Sequence, residues 1–90
     1  MEAKKLVGWN VRRLRTAKQY TIEELAGRAE VDASYLARLE RGEVNVGIVI
    51  LDQLAQAVSA KLSDLVVEPA PGEKPPKPLR AGRRSTKASR

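Results

Sequence analysis

The chain contains neither cysteine nor histidine. Without cysteine it forms no disulfide and offers no thiolate to a metal or a substrate. Without histidine it lacks the commonest metal ligand and the usual general base near neutral pH. No apolar run approaches the roughly 20 residues that a membrane-spanning helix requires. The opening MEAKKLVGW has no secretory apolar segment, so the expected compartment is the cytoplasm, without membrane attachment. Catalytic groups are equally scarce. Ser34 has no neighbouring base, and the adjacent Glu23 and Glu24 diverge on a helix instead of sharing a site. The expectation is a protein that is not an enzyme and needs no cofactor or metal.

What the chain has is a divided charge pattern. Of 90 residues, 17 are Lys or Arg and 11 are Asp or Glu, a net charge of +6. Residues 1–68 balance ten basic against ten acidic side chains, so the whole excess lies beyond them. Residues 69–90 hold seven Lys/Arg against Glu73 alone, five prolines, and hardly any large apolar residue. Such a composition cannot offset the entropy of ordering a chain, which predicts a disordered basic arm with affinity for polyanions. The remaining 68 residues suffice for one small domain, whose core buries only about 60% of the surface its unfolded chain exposes.

Apolar spacing in that domain is helical throughout. Val7, Val11 and Leu14, with Leu6 at the margin, predict a first helix over 4–17. In YTIEELA, Thr21 precedes Glu24 by three residues, a capping box, while Tyr20 and Leu25 occupy the positions of a hydrophobic staple. A second helix should therefore start at Ile22 and run to about Ala29, burying Leu25, Ala26 and Ala29. Val31 anchors a tight turn, Asp32 caps a third helix, and Gly42 ends it in a left-handed conformation. A fourth helix from about Ile48 carries Leu51, Leu54, Ala55 and Val58 on one stripe, although the β-branched VGIVIL blurs its start. Leu62, Leu65 and Val66 suggest a short fifth helix. Two short helices joined by a turn of about four residues make a helix-turn-helix.

With these features in order, NVRRLRTAKQYTIEELAGRAEVDASYLARLERGEVNVGIVILDQLAQAVSAKLSDLV resembles the Cro/C1-type (XRE family) DNA-binding domain. The likeness covers roughly residues 6–67 and rests on four motifs: the arginine-rich end of helix one, T-x-E-E-L-A, S-Y-L-x-x-L-E-R-G and L-x-x-L-A-x-A-V. It implies an all-α, five-helix, lambda-repressor-like fold whose third helix lies in the major groove of double-stranded DNA. By position, Ala33, Ser34, Ala37 and Arg38 then fall at the base-reading sites. Small side chains let a helix sit deep in a groove about 12 Å wide. Ser34 donates or accepts, Ala33 meets a thymine methyl, and Arg38 suits a guanine.

Phosphate contacts are expected from Thr21 and the Ile22 amide at the start of helix two, from the Tyr35 hydroxyl, and from Arg41 and Asn45 after helix three. Three positions depart from the family. Ile22 stands where glutamine is common, Glu43 where a cation is frequent, and Glu30 where the turn usually has glycine and a positive φ would strain it. The resemblance also implies a buried salt bridge between Arg15 and Glu40. Ile48, Val49 and Ile50 exceed one core stripe and, with Leu62, Leu65, Val66 and Val67, suggest the patch of a homodimer on a palindromic operator. Trp9 falls off the core face, over Arg12 or Arg13, over helix five, or against a protein partner. The implied function is a sequence-specific transcriptional regulator, a repressor or autoregulator. The alternatives are an antitoxin or other protein-binding helix-turn-helix, and a restriction–modification controller.

Overall fold

The computed structural model describes residues 1–70 and residue 72. The chain forms α1 (Ala3–Ala17), α2 (Ile22–Ala29), α3 (Ala33–Glu40) and α4 (Ile48–Ala57), followed by one turn of 3-10 helix at Leu62–Leu65. There is no strand among the described residues, and no helix among them is long and apolar enough to cross a membrane. The basic arm expected over 69–90 lies outside the described residues, Pro69, Ala70 and Gly72 excepted.

Where sequence spacing suggests a fifth helix, the chain makes only the 3-10 turn. Leu62 and Leu65 are three residues apart, which aligns them at three residues per turn, and a single turn suffices to bring Leu65 into the core. Leu65 is completely buried. It therefore supplies nothing to a surface patch, and its place in the expected dimer contact is corrected. Leu62 and Ile50 are half-buried against the same core, whereas Ile48 and Val66 are 66% and 50% exposed.

Leu25, Leu36, Leu39, Leu54 and Leu65 form the enclosed centre, with Val7, Val11, Ala26, Ala29, Ala55 and Val58 around them. α1 packs on α3 and on the 62–65 turn, while α2 packs between α3 and α4. Two residues of α1 make this packing possible. An added Cβ on buried Gly8 would lie 2.6 Å from the Leu39 carbonyl oxygen and 2.7 Å from that of Glu40, so only glycine lets the helix backbones approach this closely. Asn10 is fully buried on the apolar side of α1. Its Nδ2 donates to the carbonyls of Leu6, Leu65 and Val67, and its Oδ1 accepts from Arg13. One side chain thus fastens the chain leaving the 3-10 turn to the first helix.

Each α-helix is closed by a left-handed residue: Gln19 after α1 (φ 61), Glu30 after α2 (φ 62), Gly42 after α3 (φ 76) and Ser59 after α4 (φ 58). The bend lets amides return to orphaned end carbonyls, as Tyr20 does to Arg15, Val31 to Ala26, Glu43 to Arg38 and Ala60 to Ala55. Glu30, which stands where the resembling family usually has glycine, does take a positive φ. A further tie crosses from α4, where Gln53 Nε2 donates to the Ala29 carbonyl at 2.8 Å.

Candidate nucleic-acid interface

α2 and α3 meet through a turn of three residues, Glu30 to Asp32. Both helices have side-chain caps. Thr21 Oγ1 accepts from the Glu24 amide at 3.1 Å and Glu24 Oε1 accepts from the Thr21 amide at 2.8 Å, completing the capping box. Asp32 Oδ2 accepts from the Tyr35 amide at 2.9 Å, so α3 starts at a fixed residue. A cap contributes about 1 kcal/mol. Here the two caps also set where two helix N-termini point.

α3 buries Leu36 and Leu39 and turns Ser34 and Arg38 to solvent. Ser34 and Arg38 are four residues apart and so share a helix face. Ala33 and Ala37, another pair four apart, flank them half-buried, and Ala33 touches the core. The result is a shallow face with one hydroxyl and one guanidinium standing above methyl groups. Such a face suits close approach to base edges: Arg can pair bidentately with guanine, serine can donate or accept, and alanine can meet a thymine methyl.

Around this face the expected phosphate-binding residues are placed unequally. Thr21 is committed to its capping box, which leaves the amides of Ile22 and Glu23 as first-turn donors without intrahelical acceptors. Tyr35 is half-buried and packs against the core. Asn45 is exposed beside buried Val44. Arg41 is exposed, but its fork lies on Glu43, with Nε to Oε2 at 2.9 Å and Nη2 to Oε1 at 3.2 Å. That hydrogen bond, more than the charge itself, holds the Glu43 carboxyl below the ordinary glutamate range and raises the Arg41 guanidinium above its usual value. Arg28, on α2, stacks over the Tyr20 ring with 4.4 Å to its centroid.

Arg15 and Glu40 meet across the α1–α3 seam. Arg15 Nε lies 2.7 Å from Glu40 Oε2 and Nη2 lies 2.9 Å from Oε1, while Nη1 donates to the Tyr20 carbonyl. Both side chains are buried, so α3 is locked to the domain at its C-terminal end.

Sequence reasoning missed Gly8 and Asn10. Asn10 left a visible signal, a polar residue in register with Leu6, Val7 and Leu14. Gly8 left none, because close backbone approach is a property of the packed pair.

Residues 6–65 match a family model described as a helix-turn-helix domain. The HTH-type transcriptional regulator y4dJ of Sinorhizobium fredii is 42% identical over 66 residues, covering 73% of this chain and 86% of the relative. Among solved structures, the restriction–modification controller protein C.AhdI of Aeromonas hydrophila is 37% identical with a TM-score of 0.67, over 69% of this chain and 94% of that one. The hypothetical transcription factor NHTF from Neisseria is 25% identical with a TM-score of 0.73, over 76% and 78% of the two chains.

Proposed function

Because the chain belongs to the helix-turn-helix family of DNA-binding transcriptional regulators, we infer that α3 is its reading helix and that Ala33, Ser34, Ala37 and Arg38 meet base edges in the major groove. The observation that carries this reading is the low face of α3, with Ser34 and Arg38 exposed above two alanines on a helix capped at its leading end. Backbone amides of Ile22 and Glu23, the Tyr35 hydroxyl, and Asn45 and Arg41 grip phosphates on either side, with Arg41 exchanging Glu43 for a phosphate oxygen. Phosphate contacts position the helix, and base contacts specify the site.

The protein acts as a homodimer on a palindromic operator, with half-sites about 34 Å apart. Exposed Ile48, Val49, Val66 and Val67 are the apolar groups available for the two-fold contact. The basic residues of 69–90 add sequence-independent attraction through counterion release. Repression or autoregulation in the cytoplasm follows most simply, with protein concentration as the signal. A controller of a restriction–modification system is the second reading, favoured by 37% identity to C.AhdI.

Selection from a randomised duplex library with the purified chain at near-physiological salt tests the proposal. The expected result is a palindrome, with Arg38→Ala losing preference at one base pair per half-site, a discrimination of about 1–3 kcal/mol. Binding without enrichment, or an unchanged motif for Arg38→Ala, would refute the assigned face.

A further inference from the structure

Beside the Arg15–Glu40 bridge lies a cleft of about 230 Å³ lined by Met1, Lys5, Trp9, Arg12, Glu40 and Arg41. Two of its charges are already matched. Both Glu40 oxygens accept from Arg15, and Arg41 forks onto Glu43. Among the described residues neither Lys5 nor Arg12 makes a salt bridge, although the charge of Lys5 is felt by the Glu43 carboxyl. Arg12 Nε is moreover enclosed and makes no hydrogen bond. A buried N–H without an acceptor is costly and rare in native proteins, so Arg12 carries an unmet donor beside the cleft as well as the guanidinium charge it brings to the lining.

The rest of the lining is apolar. Trp9 is a wall shared with a second cleft that contains Arg13, whose guanidinium carbon sits 5.6 Å from the ring centroid. Arg13 is itself held by Asn10 Oδ1, so the indole is braced from that side. Met1 and Trp9 thus adjoin two cations that make no salt bridge, in a space smaller than the roughly 300 Å³ at which drug-sized ligands begin to fit.

We propose that this cleft binds a small organic acid, its carboxylate on Arg12 and Lys5 and its flat apolar body against Trp9 and Met1. A doubly charged phosphate fits less well, because Glu40 shares the lining and the apolar wall leaves part of such an ion without donors. An occupant joins α1 to the C-terminal end of α3. Binding in itself does not depend on the assignment of the DNA-reading face.

Sodium benzoate, titrated into the full-length ¹⁵N-labelled chain at constant ionic strength, tests the site. The Arg12 Nε–H and Trp9 indole N–H resonances should move along one saturable curve, with those of Arg15 unmoved. Emission from Trp9, the sole tryptophan, should follow the same curve. Arg12→Gln should weaken benzoate binding at least tenfold. No saturable movement, an equal response to benzyl alcohol, or tighter binding of inorganic phosphate would overturn the proposal. Should Arg12→Gln fail to fold, the wild-type resonances still decide.

Discussion

Two arginine–glutamate forks close this domain, and they share nearly the same geometry. Arg15–Glu40 has its shortest contact at 2.7 Å and Arg41–Glu43 at 2.9 Å, each with a second parallel bond. Their surroundings differ sharply. The first pair has side chains 7% and 6% exposed and joins helices 25 residues apart in sequence; the second has side chains 57% and 50% exposed and spans two residues. In water an exposed fork competes with solvent and salt, and its partners lose little on separation. A buried fork has no such substitute, so removing one partner strands a charge in the core. Bond length therefore says little about what each pair does; burial and sequence separation decide it.

The largest effect should come from Glu40→Ala. Stranding Arg15 should cost about 3–5 kcal/mol, read as a large fall in melting temperature or loss of the cooperative transition. An unchanged melt would erase the distinction between the forks. Gly8→Ala should come next. Its Cβ would press on two backbone carbonyls at the α1–α3 seam, and overpacking of this kind costs about 1–3 kcal/mol, measured by denaturant unfolding. A neutral result there would mean that the seam yields, and that the salt bridge alone positions α3.

Glu43→Ala should be the smallest, leaving the melting temperature where it is. Freed from its carboxylate, Arg41 should bind duplex DNA more tightly, with a steeper salt dependence. The same pair makes a pH prediction. Glu43 is held below the ordinary glutamate range by the Arg41 hydrogen bond, with desolvation opposing and the charges of Arg41, Arg38 and Lys5 assisting. A depressed carboxyl stabilises above its unfolded value and loses that contribution as pH falls through the folded one. The pairing should hence be constant from neutral to mildly acidic pH and vanish only below the usual glutamate range. Carboxyl ¹³C shifts should show Glu43 titrating higher in Arg41→Ala.

Local features of the fold were legible in the residues. Thr21 and Glu24 announce a helix start through reciprocal hydrogen bonds only three residues apart, and Asp32 announces another. The left-handed turn at Glu30 was signalled only through the resemblance, in which glycine is usual at that place. Long-range features were less so. Arg15 and Glu40 could be paired only through resemblance, since nothing local connects them. Leu65 was assigned to the surface because an apolar residue at a domain edge has the same spacing whether it faces solvent or core. Arg41 was taken as an available cation, although the bend at Gly42 folds Glu43 back beneath it. Of the face of α3 proposed to read bases, the identity and spacing of its residues were in the sequence; the shallowness of Ala33 and Ala37 beside Ser34 required the packed helix.

The left-handed helix ends carry a consequence for engineering. A single left-handed residue with a Cβ is disfavoured by roughly 1–2 kcal/mol, and Gly42 alone of the four escapes that penalty. Gln19, Glu30 and Ser59 are all exposed, so their side chains have little packing to lose. Glycine at these three turns relieves the backbone at a smaller entropic cost, about 0.5–1 kcal/mol by the helix-interior scale. A thermal margin is thus held in reserve at the corners of the domain, and it can be drawn on without altering the core or the face of α3.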